Sequence, residues 1–343
     1  MTAINKEKSK NNRCILITGV AGFIGSHLAH SLLEDKVAVV GVDSLSDYYP
    51  IEIKLRRLAS LQCFQSFVYY HACVSESKSL TKILETHTPT LVIHLAAQAG
   101  VVAEGHLTPS YIESNIYGAE VVMRLCAHLG IPLIYASSSS VYGDCSNVPF
   151  LESEATLSPK SLYAATKLYN EQVASFYAKH LNLKAVGLRF FSIYGEDMRP
   201  DMAISLFTSA IYHGKPITLY GNDATARDFT YIKDLVCVIK QVTQKFHEGE
   251  TLAPIYNIGN QSPVPIERVV RILEKLLNKT SKITHSPLRP GEAQLTYSDS
   301  SLLYRDLAIR PTTTIEEGLK CYVKWYLANN SNIQPKNKDG SVS

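Results

Sequence analysis

Tyr163 and Lys167 stand four residues apart in the stretch SLYAATK, residues 161–167. At helical spacing the phenol and the ammonium share one face. One reading is an amphipathic helix with a lysine stretching to water, and taken alone the pattern favours it. The other is proton transfer. A tyrosine titrates near 10, and a neighbouring cation favours its phenolate. Upstream, YASSSSVYG, residues 135–143, sets four serines at the end of an apolar run. Such serines can cap a turn, or they can offer hydroxyls to a sugar and order a tyrosine.

The glycines of ILITGVAGFIGS, residues 15–26, carry a second chemistry. Gly19, Gly22 and Gly25 follow an apolar run and open a helical one. The first permits a tight turn, the second admits a pyrophosphate to the backbone, and the third lets helix and strand pack closely. A phosphate then meets the free N–H groups of the helix start. Asp43 ends the next apolar run, eighteen residues after Gly25. A carboxylate there can accept from both ribose hydroxyls and repels a 2′-phosphate, which selects NAD over NADP. The alternative is a turn residue. With a dinucleotide along this edge, its nicotinamide falls near the later strands, where a positive ring and Lys167 together favour the Tyr163 phenolate. The phenolate can then take a proton from a sugar hydroxyl.

These residues need a scaffold. Apolar runs CILIT (14–18), VAVVGV (37–42), FVYYHA (67–72), LVIHLA (91–96), PLIYAS (132–137) and LKAVGLRF (183–190) suit parallel strands buried on both faces. Helical patterns near 23–34, 77–87, 110–129 and 159–181 lie between them. The last begins with Ser158 as N-cap and Pro159 at the first helical position. The alternation predicts an α/β fold, a doubly wound parallel (Rossmann) sheet, over residues 13–190. Residues 191–328 predict a smaller α/β C-terminal substrate-binding region, with helices near 202–213, 232–247, 265–278 and 315–327. Residues 1–12 and 329–343 are polar and predict disordered tails.

Composition removes other classes. The chain has 343 residues and a formal charge of +3, too weak a field to favour nucleic acid or a membrane surface. The single basic run, KEKSKNNR at 6–13, lacks the apolar stretch of a secretory signal, and no apolar run approaches a membrane span. Seven scattered cysteines without a C-x-x-C argue for reduced thiols in the cytoplasm, against disulfides or a metal site. His94 ends a strand without a second ligand at metal spacing and reads as a core histidine. Twenty tyrosines read as packing and pocket lining, since no basic stripe accompanies them.

Joined, TGxxGFIG, HLAAQAG (94–100), SSSSVYG and Tyr163-x-x-x-Lys167 resemble the extended short-chain dehydrogenase/reductases, the NAD-dependent epimerase/dehydratase family. The resemblance runs from about residue 13 to 328. Within that family LRFFSIYG, MRPDMA (198–203), RDFTYIKDLV (227–236) and YNIGNQSPV (256–264) are most similar to the UDP-glucuronate 4-epimerases. The resemblance implies that bound NAD accepts hydride from sugar C4 while Tyr163 takes the hydroxyl proton. A 4-keto sugar then turns over in the pocket and is reduced on its other face. It implies Ser138 as the catalytic serine, Ser139 and Ser140 along the sugar, Lys167 on the nicotinamide ribose, and Arg227 and Arg289 on the UDP pyrophosphate. It places Arg199 near the nucleotide, lines the cofactor with Phe23, Ile24, Leu95, Ala96 and Ala97, and gives Asn115 a structural or water-holding role. It also implies a homodimer through the 110–129 and 159–181 helices.

Neighbouring reactions are weighed at the same places. A 4,6-dehydratase needs an acid pair where this chain has Ser139-Ser140, so dehydration is disfavoured. A decarboxylase carries a glutamate after HLAA, and Glu104 keeps that alternative open. Val102 stands where the epimerases have arginine, Cys73 replaces the strand-three acid that contacts adenine, and Ser44 replaces an asparagine. Thr296 leaves room for a bulky group, so an N-acetylhexosamine or glucose nucleotide is a further alternative. A dinucleotide-sensing binding protein on the same fold typically lacks the tyrosine or the lysine; both stand here.

Overall fold

The computed structural model describes residues 13–100, 107–143, 145, 147–154 and 157–330. Val102 and Glu104 lie outside them. Strands β1 (Cys14–Thr18), β2 (Ala38–Asp43), β3 (Phe67–His71), β4 (Leu91–His94), β5 (Leu133–Ser138), β6 (Ala185–Phe190) and β10 (Ile255–Ile258) form one parallel sheet. Its order is β3-β2-β1-β4-β5-β6-β10. The apolar runs dictate this arrangement. Ile15 and Ile17 enter one core layer and Leu16 the other, so both faces of β1 are covered.

The helices of this half are α1 (Phe23–Glu34), α2 (Ile51–Gln62), α3 (Ser77–His87), α4 (Ala119–Leu129) and α5 (Leu162–Leu181). An eight-residue π-helical stretch, Tyr111–Gly118, runs into α4. Helix α2 is a difference from the sequence expectation. Its inner face buries Lys54 and Arg57 beside Leu58 and Leu61, so charges occupy positions where an apolar stripe would announce a helix.

The start of α5 is a second difference. Ser158 bridges to Gly143, which leaves residues 158–160 outside the helix. Ser161 is the N-cap, accepting from the Ala164 N–H at 3.1 Å, and Pro159 lies before the helix rather than in it.

The C-terminal elements are β7 (Ser192–Tyr194), β8 (Ile217–Tyr220), β9 (Ala226–Tyr231), β11 (Pro263–Pro265) and β12 (Ile283–Ser286), with α6 (Ala203–Tyr212), α7 (Ile232–Glu248), α8 (Ile266–Leu277), α9 (Ser301–Leu307) and α10 (Ile315–Asn330). They form a three-stranded sheet, β11-β9-β7, and a two-stranded one, β12-β8. The division expected at residue 190 is not a single cut. Strand β10 returns to the large sheet, pairing Tyr256 with Leu188, and α7 packs with α1. Helix α10 also extends to Asn330, two residues into the stretch expected as a tail.

Candidate active site

Sheet order reverses between β1 and β4, where open α/β sheets bind ligands at their carboxyl ends. A cleft of about 1320 Å³ opens there and runs on to the C-terminal elements. Its floor is the glycine turn. Gly19 has φ +73°, and a Cβ on it would stand 2.7 Å from the Ala96 nitrogen at the end of β4. A Cβ on Gly25 would stand 2.2 Å from the Gly19 carbonyl oxygen. Helix α1 begins after Gly22, without a side-chain cap or an acid in its first turn. Its first N–H groups are therefore left for an anion. Phe23, Ile24, Leu95, Ala96 and Ala97 line the same floor.

Asp43 ends β2 with Oδ2 accepting from the Ala21 N–H at 3.0 Å and Oδ1 from Leu45 at 2.8 Å. It caps its turn and faces the cleft at once. Ser44, Ser46 and Lys54 stand around it, and the Lys54 ammonium donates to the Ser46 carbonyl at 2.6 Å. Burial lowers Lys54 from its ordinary value, against the pull of Asp43. A glycine turn without side-chain bulk, an uncapped helix start and an acid at the next strand end fit NAD.

At the far end Ser138, Tyr163 and Lys167 meet. Ser138 caps the 3₁₀ turn Ser139–Tyr142, accepting from the Ser140 N–H at 3.2 Å and the Ser140 hydroxyl at 2.9 Å. Ser138 therefore caps a turn, and it also hydrogen-bonds Tyr163. Ser139 and Ser140 line the cleft beside it. Burial pushes the Tyr163 phenol up, while Arg199 and the Ser138 bond draw it down. Lys167 stands on the same helix face, one turn on. Its ammonium lies 5.8 Å from the Tyr163 ring centroid and donates to the Ala136 carbonyl at 2.9 Å. Burial lowers Lys167 to about 8.

Two polar networks hold these groups. Asn115, in the π stretch, accepts from the Gln98 N–H at 2.7 Å and donates to the Gln98 carbonyl at 2.9 Å and Thr166 at 3.1 Å. It ties the end of β4 to the Tyr163 helix. Behind Ser138, buried Glu171 pairs with Arg189 at 2.8 Å and accepts from Ser137. Thr18 bonds the buried His94 ring at 2.7 Å, and burial drives that imidazole down to about 3.

Arg199, Arg227 and Arg289 all line the cleft from the C-terminal elements and the loops between them. Arg199 grips Asp201 with two bonds, 2.9 and 2.8 Å, and lies 5.7 Å from the Tyr48 ring. Arg227 donates to the carbonyls of Ala226 and Gln294, so its charge meets neutral partners there. Burial holds Arg227 below its ordinary value, opposed by Glu292 and reinforced by Arg289. Arg289 lies 4.4 Å from the Tyr220 ring and pairs with Glu292. The Thr296 hydroxyl accepts from Asp228 N–H at 3.0 Å, so only its remaining surface faces the cleft. Among the described residues no group of three or more His, Cys, Asp or Glu gathers to hold a metal. None of their helices is long and apolar enough to cross a membrane.

The chain matches the model of the NAD dependent epimerase/dehydratase family over residues 15–259. It belongs to that family. The chain is an NAD-dependent enzyme of the epimerase type, and NAD is its cofactor. It is 41% identical over 328 residues to Protein CapI of Staphylococcus aureus, covering 91% of this chain and 98% of that one. It is 38% identical to UDP-glucuronate 4-epimerase 4 of Arabidopsis thaliana, covering 94% of this chain and 77% of the relative. The solved UDP-glucuronic acid 4-epimerase of Bacillus cereus, in complex with UDP-glucuronic acid and NAD, superposes with a TM-score of 0.85 at 31% identity. That match covers 92% of this chain and 99% of the other.

Sequence reasoning did not single out Tyr48, Lys54, Glu113 and Asp201, which line the cleft, or Arg57, which bonds the Ala21 carbonyl behind it. The signal for Tyr48, Lys54 and Arg57 was available in YYPIEIKLRRL, where Lys54 and Arg57 stand three apart on the face of Leu58 and Leu61.

Proposed function

We propose that the protein interconverts UDP-glucuronate and UDP-galacturonate by epimerisation at C4. The observation that carries this reading is the meeting of Ser138, Tyr163 and Lys167 at one end of a cleft whose other walls present Arg227 and Arg289. Similarity to UDP-glucuronate 4-epimerases over more than nine-tenths of the chain supports the uronate.

Bound NAD supplies reversible hydride acceptance at sugar C4. The chain supplies the rest. Tyr163 takes the C4 hydroxyl proton and returns it to the C4 oxygen when the ketone is reduced on its other face. Ser138 holds the phenol and, through Ser140, fixes the turn beside the sugar. Lys167 orients the nicotinamide ribose. Gly19, Gly22, Gly25 and Asp43 hold the cofactor, with Phe23, Ile24, Leu95, Ala96 and Ala97 around it. Arg227 and Arg289 neutralise the UDP pyrophosphate, and Arg199 sets the charge beside the phenol. Ser139 and Ser140 offer hydroxyls in a turn without acids, which suits a uronate carboxylate and does not provide the acid pair of a dehydratase.

On this reading residues 13–190 mainly bind NAD, residues 191–328 mainly bind the sugar nucleotide, and two copies associate through the 110–129 and 159–181 helical runs. Ile112, Tyr117, Tyr169 and Phe176 are exposed on those helical runs, Phe176 at 57%. An apolar face of this kind is suited to a partner. Seven free thiols accord with a cytoplasmic enzyme, and uronate supply for polysaccharide is the role that follows.

The test is incubation with UDP-glucuronic acid without added NAD, with products read by proton NMR. UDP-galacturonic acid as sole product is expected. UDP-xylose or a 4-keto pentose would replace the proposal with decarboxylation and direct attention to Glu104. Unchanged substrate, with NAD added, would overturn the uronate and move the test to UDP-glucose and UDP-N-acetylglucosamine.

A further inference from the structure

The two ends of the cleft are chemically distinct. The Tyr163 end lies at β5, and the glycine turn lies at β1. A dinucleotide with its pyrophosphate at Gly22 and one ribose at Asp43 has its nicotinamide toward β5. Its adenine then lies on the opposite side, past β2 toward β3. The wall there is Ala72, Cys73 and Val74 after β3, faced by Ser110, Glu113 and Ser114 at the start of the π stretch. Five of these six are small or neutral. Glu113 is the one charged side chain among them.

Glu113 is not aimed at random. Its Oε1 accepts from the Ser75 hydroxyl at 3.1 Å, and that hydroxyl also lies 3.0 Å from the Cys73 sulfur. Ser75 therefore fixes one carboxylate oxygen against the β3 edge. Among the described residues no hydrogen bond engages the other oxygen. Adenine presents an exocyclic amino group, a donor that a carboxylate can accept. Cys73 and Val74 offer only soft or apolar surface to the ring.

We propose that Glu113 is the adenine-reading residue, accepting a hydrogen bond from the N6 amino group, with Ser75 as its positioning residue. The acid that strand three lacks at Cys73 is thus supplied from a helix across the cleft. The inference rests on the proposed lie of NAD along Gly22 and Asp43 and not on the choice of sugar. Nicotinamide hypoxanthine dinucleotide is the discriminating probe. It carries a carbonyl oxygen where adenine carries the amino group, so Glu113 would face an acceptor.

The protein is equilibrated with an equimolar mixture of NAD and the hypoxanthine dinucleotide. Bound dinucleotide is then released by denaturation and quantified by chromatography. Wild type should retain NAD over the hypoxanthine form by about tenfold, the worth of one hydrogen bond to a charged group. Glu113→Gln should bring the ratio near one, because a carboxamide can accept from N6 or donate to O6. Ser75→Ala should lower the ratio part of the way. Equal retention by wild type, or an unchanged ratio in Glu113→Gln, overturns the proposal. Asp43→Asn separates this from the lie of the cofactor: it should lower total occupancy and leave the ratio intact. Full occupancy in Asp43→Asn would overturn the placement itself.

Discussion

Arg57 and Asp197, 140 residues apart in sequence, meet in an ion pair of 3.0 Å. Arg57 also donates to the Ala21 carbonyl at 3.1 Å, while Asp43 accepts from the N–H of the same residue. One buried guanidinium thus links the glycine turn to the loop that carries Arg199 two residues on. Arg56 pairs with Asp197 too, and lies 5.9 Å from the Trp325 ring.

Arg57→Met should therefore loosen both halves at once. Breaking a buried pair costs about 3 kcal/mol or more when one charge is left behind, and Arg56 softens this by keeping Asp197 partnered. The expected loss is about 2–3 kcal/mol, read by urea unfolding. Trp325, the sole tryptophan, reports helix α10 beside Arg56, and far-UV circular dichroism reports the secondary structure as a whole. A midpoint equal to wild type would show that the bridge contributes nothing.

Tyr163→Phe should fold and bind NAD but lose turnover. General base catalysis is worth about 100- to 10,000-fold, so kcat should fall within that range. Retained activity within a factor of ten would remove Tyr163 from the proton transfer.

The pH profile should identify what tunes that phenol. Tyr163 acts deprotonated, so kcat/KM rises with pH along an acidic limb. Arg199 draws the phenol down, and its removal must raise it. Arg199→Gln should shift the limb to higher pH, and Ser138→Ala should shift it the same way. A limb that stays in place in Arg199→Gln would assign the tuning elsewhere.

His94 should make the fold acid-sensitive. Its folded value, about 3, lies below the ordinary 6.5. Between those values the unfolded chain binds a proton that the folded chain refuses. Stability from this group is complete above about pH 6.5 and falls progressively toward pH 3. Comparing denaturant midpoints at pH 7 and pH 5 in wild type and His94→Asn checks this. The variant should lose less on acidification, and an identical loss would rule His94 out.

Association through the 110–129 and 159–181 helical runs predicts that a charge on that face separates the copies. Phe176→Glu should elute and scatter light as a monomer where wild type is a dimer. A wild-type monomer, or a Phe176→Glu dimer, would refute that face as the interface.

Much of the scaffold was legible because parallel strands buried on both faces are continuous apolar runs, as β1, β2, β4, β5 and β6 are; β3, expected to be the same, is an edge strand that buries only Phe67 and leaves Val68 and His71 exposed. The glycine turn and the Tyr163–Lys167 spacing were equally plain, since each rests on local geometry. The start of α5 was misread because TLSPKS offers two serines. A contact with distant Gly143, invisible in the local sequence, holds Ser158 out of the helix. Helix α2 was missed for the opposite reason: its buried positions carry Lys54 and Arg57, whose partners Ser46, Tyr49 and Asp197 are brought by tertiary structure. The balance of charges on Tyr163 was likewise unreadable, because Arg199 approaches from a loop 36 residues downstream.

Strand β10 has a consequence for how the enzyme is made. It closes the large sheet beside β6, yet it leaves the ribosome only after β7, β8, β9 and α7 have emerged. Until Ile258 is free, the nascent chain carries β6 as an open edge, available to any strand that reaches it. The large sheet therefore cannot close ahead of the later elements during translation. A gene fragment that stops at residue 190 encodes an unfinished sheet, so recombination that trades the C-terminal regions of such enzymes must carry the edge strand along with them.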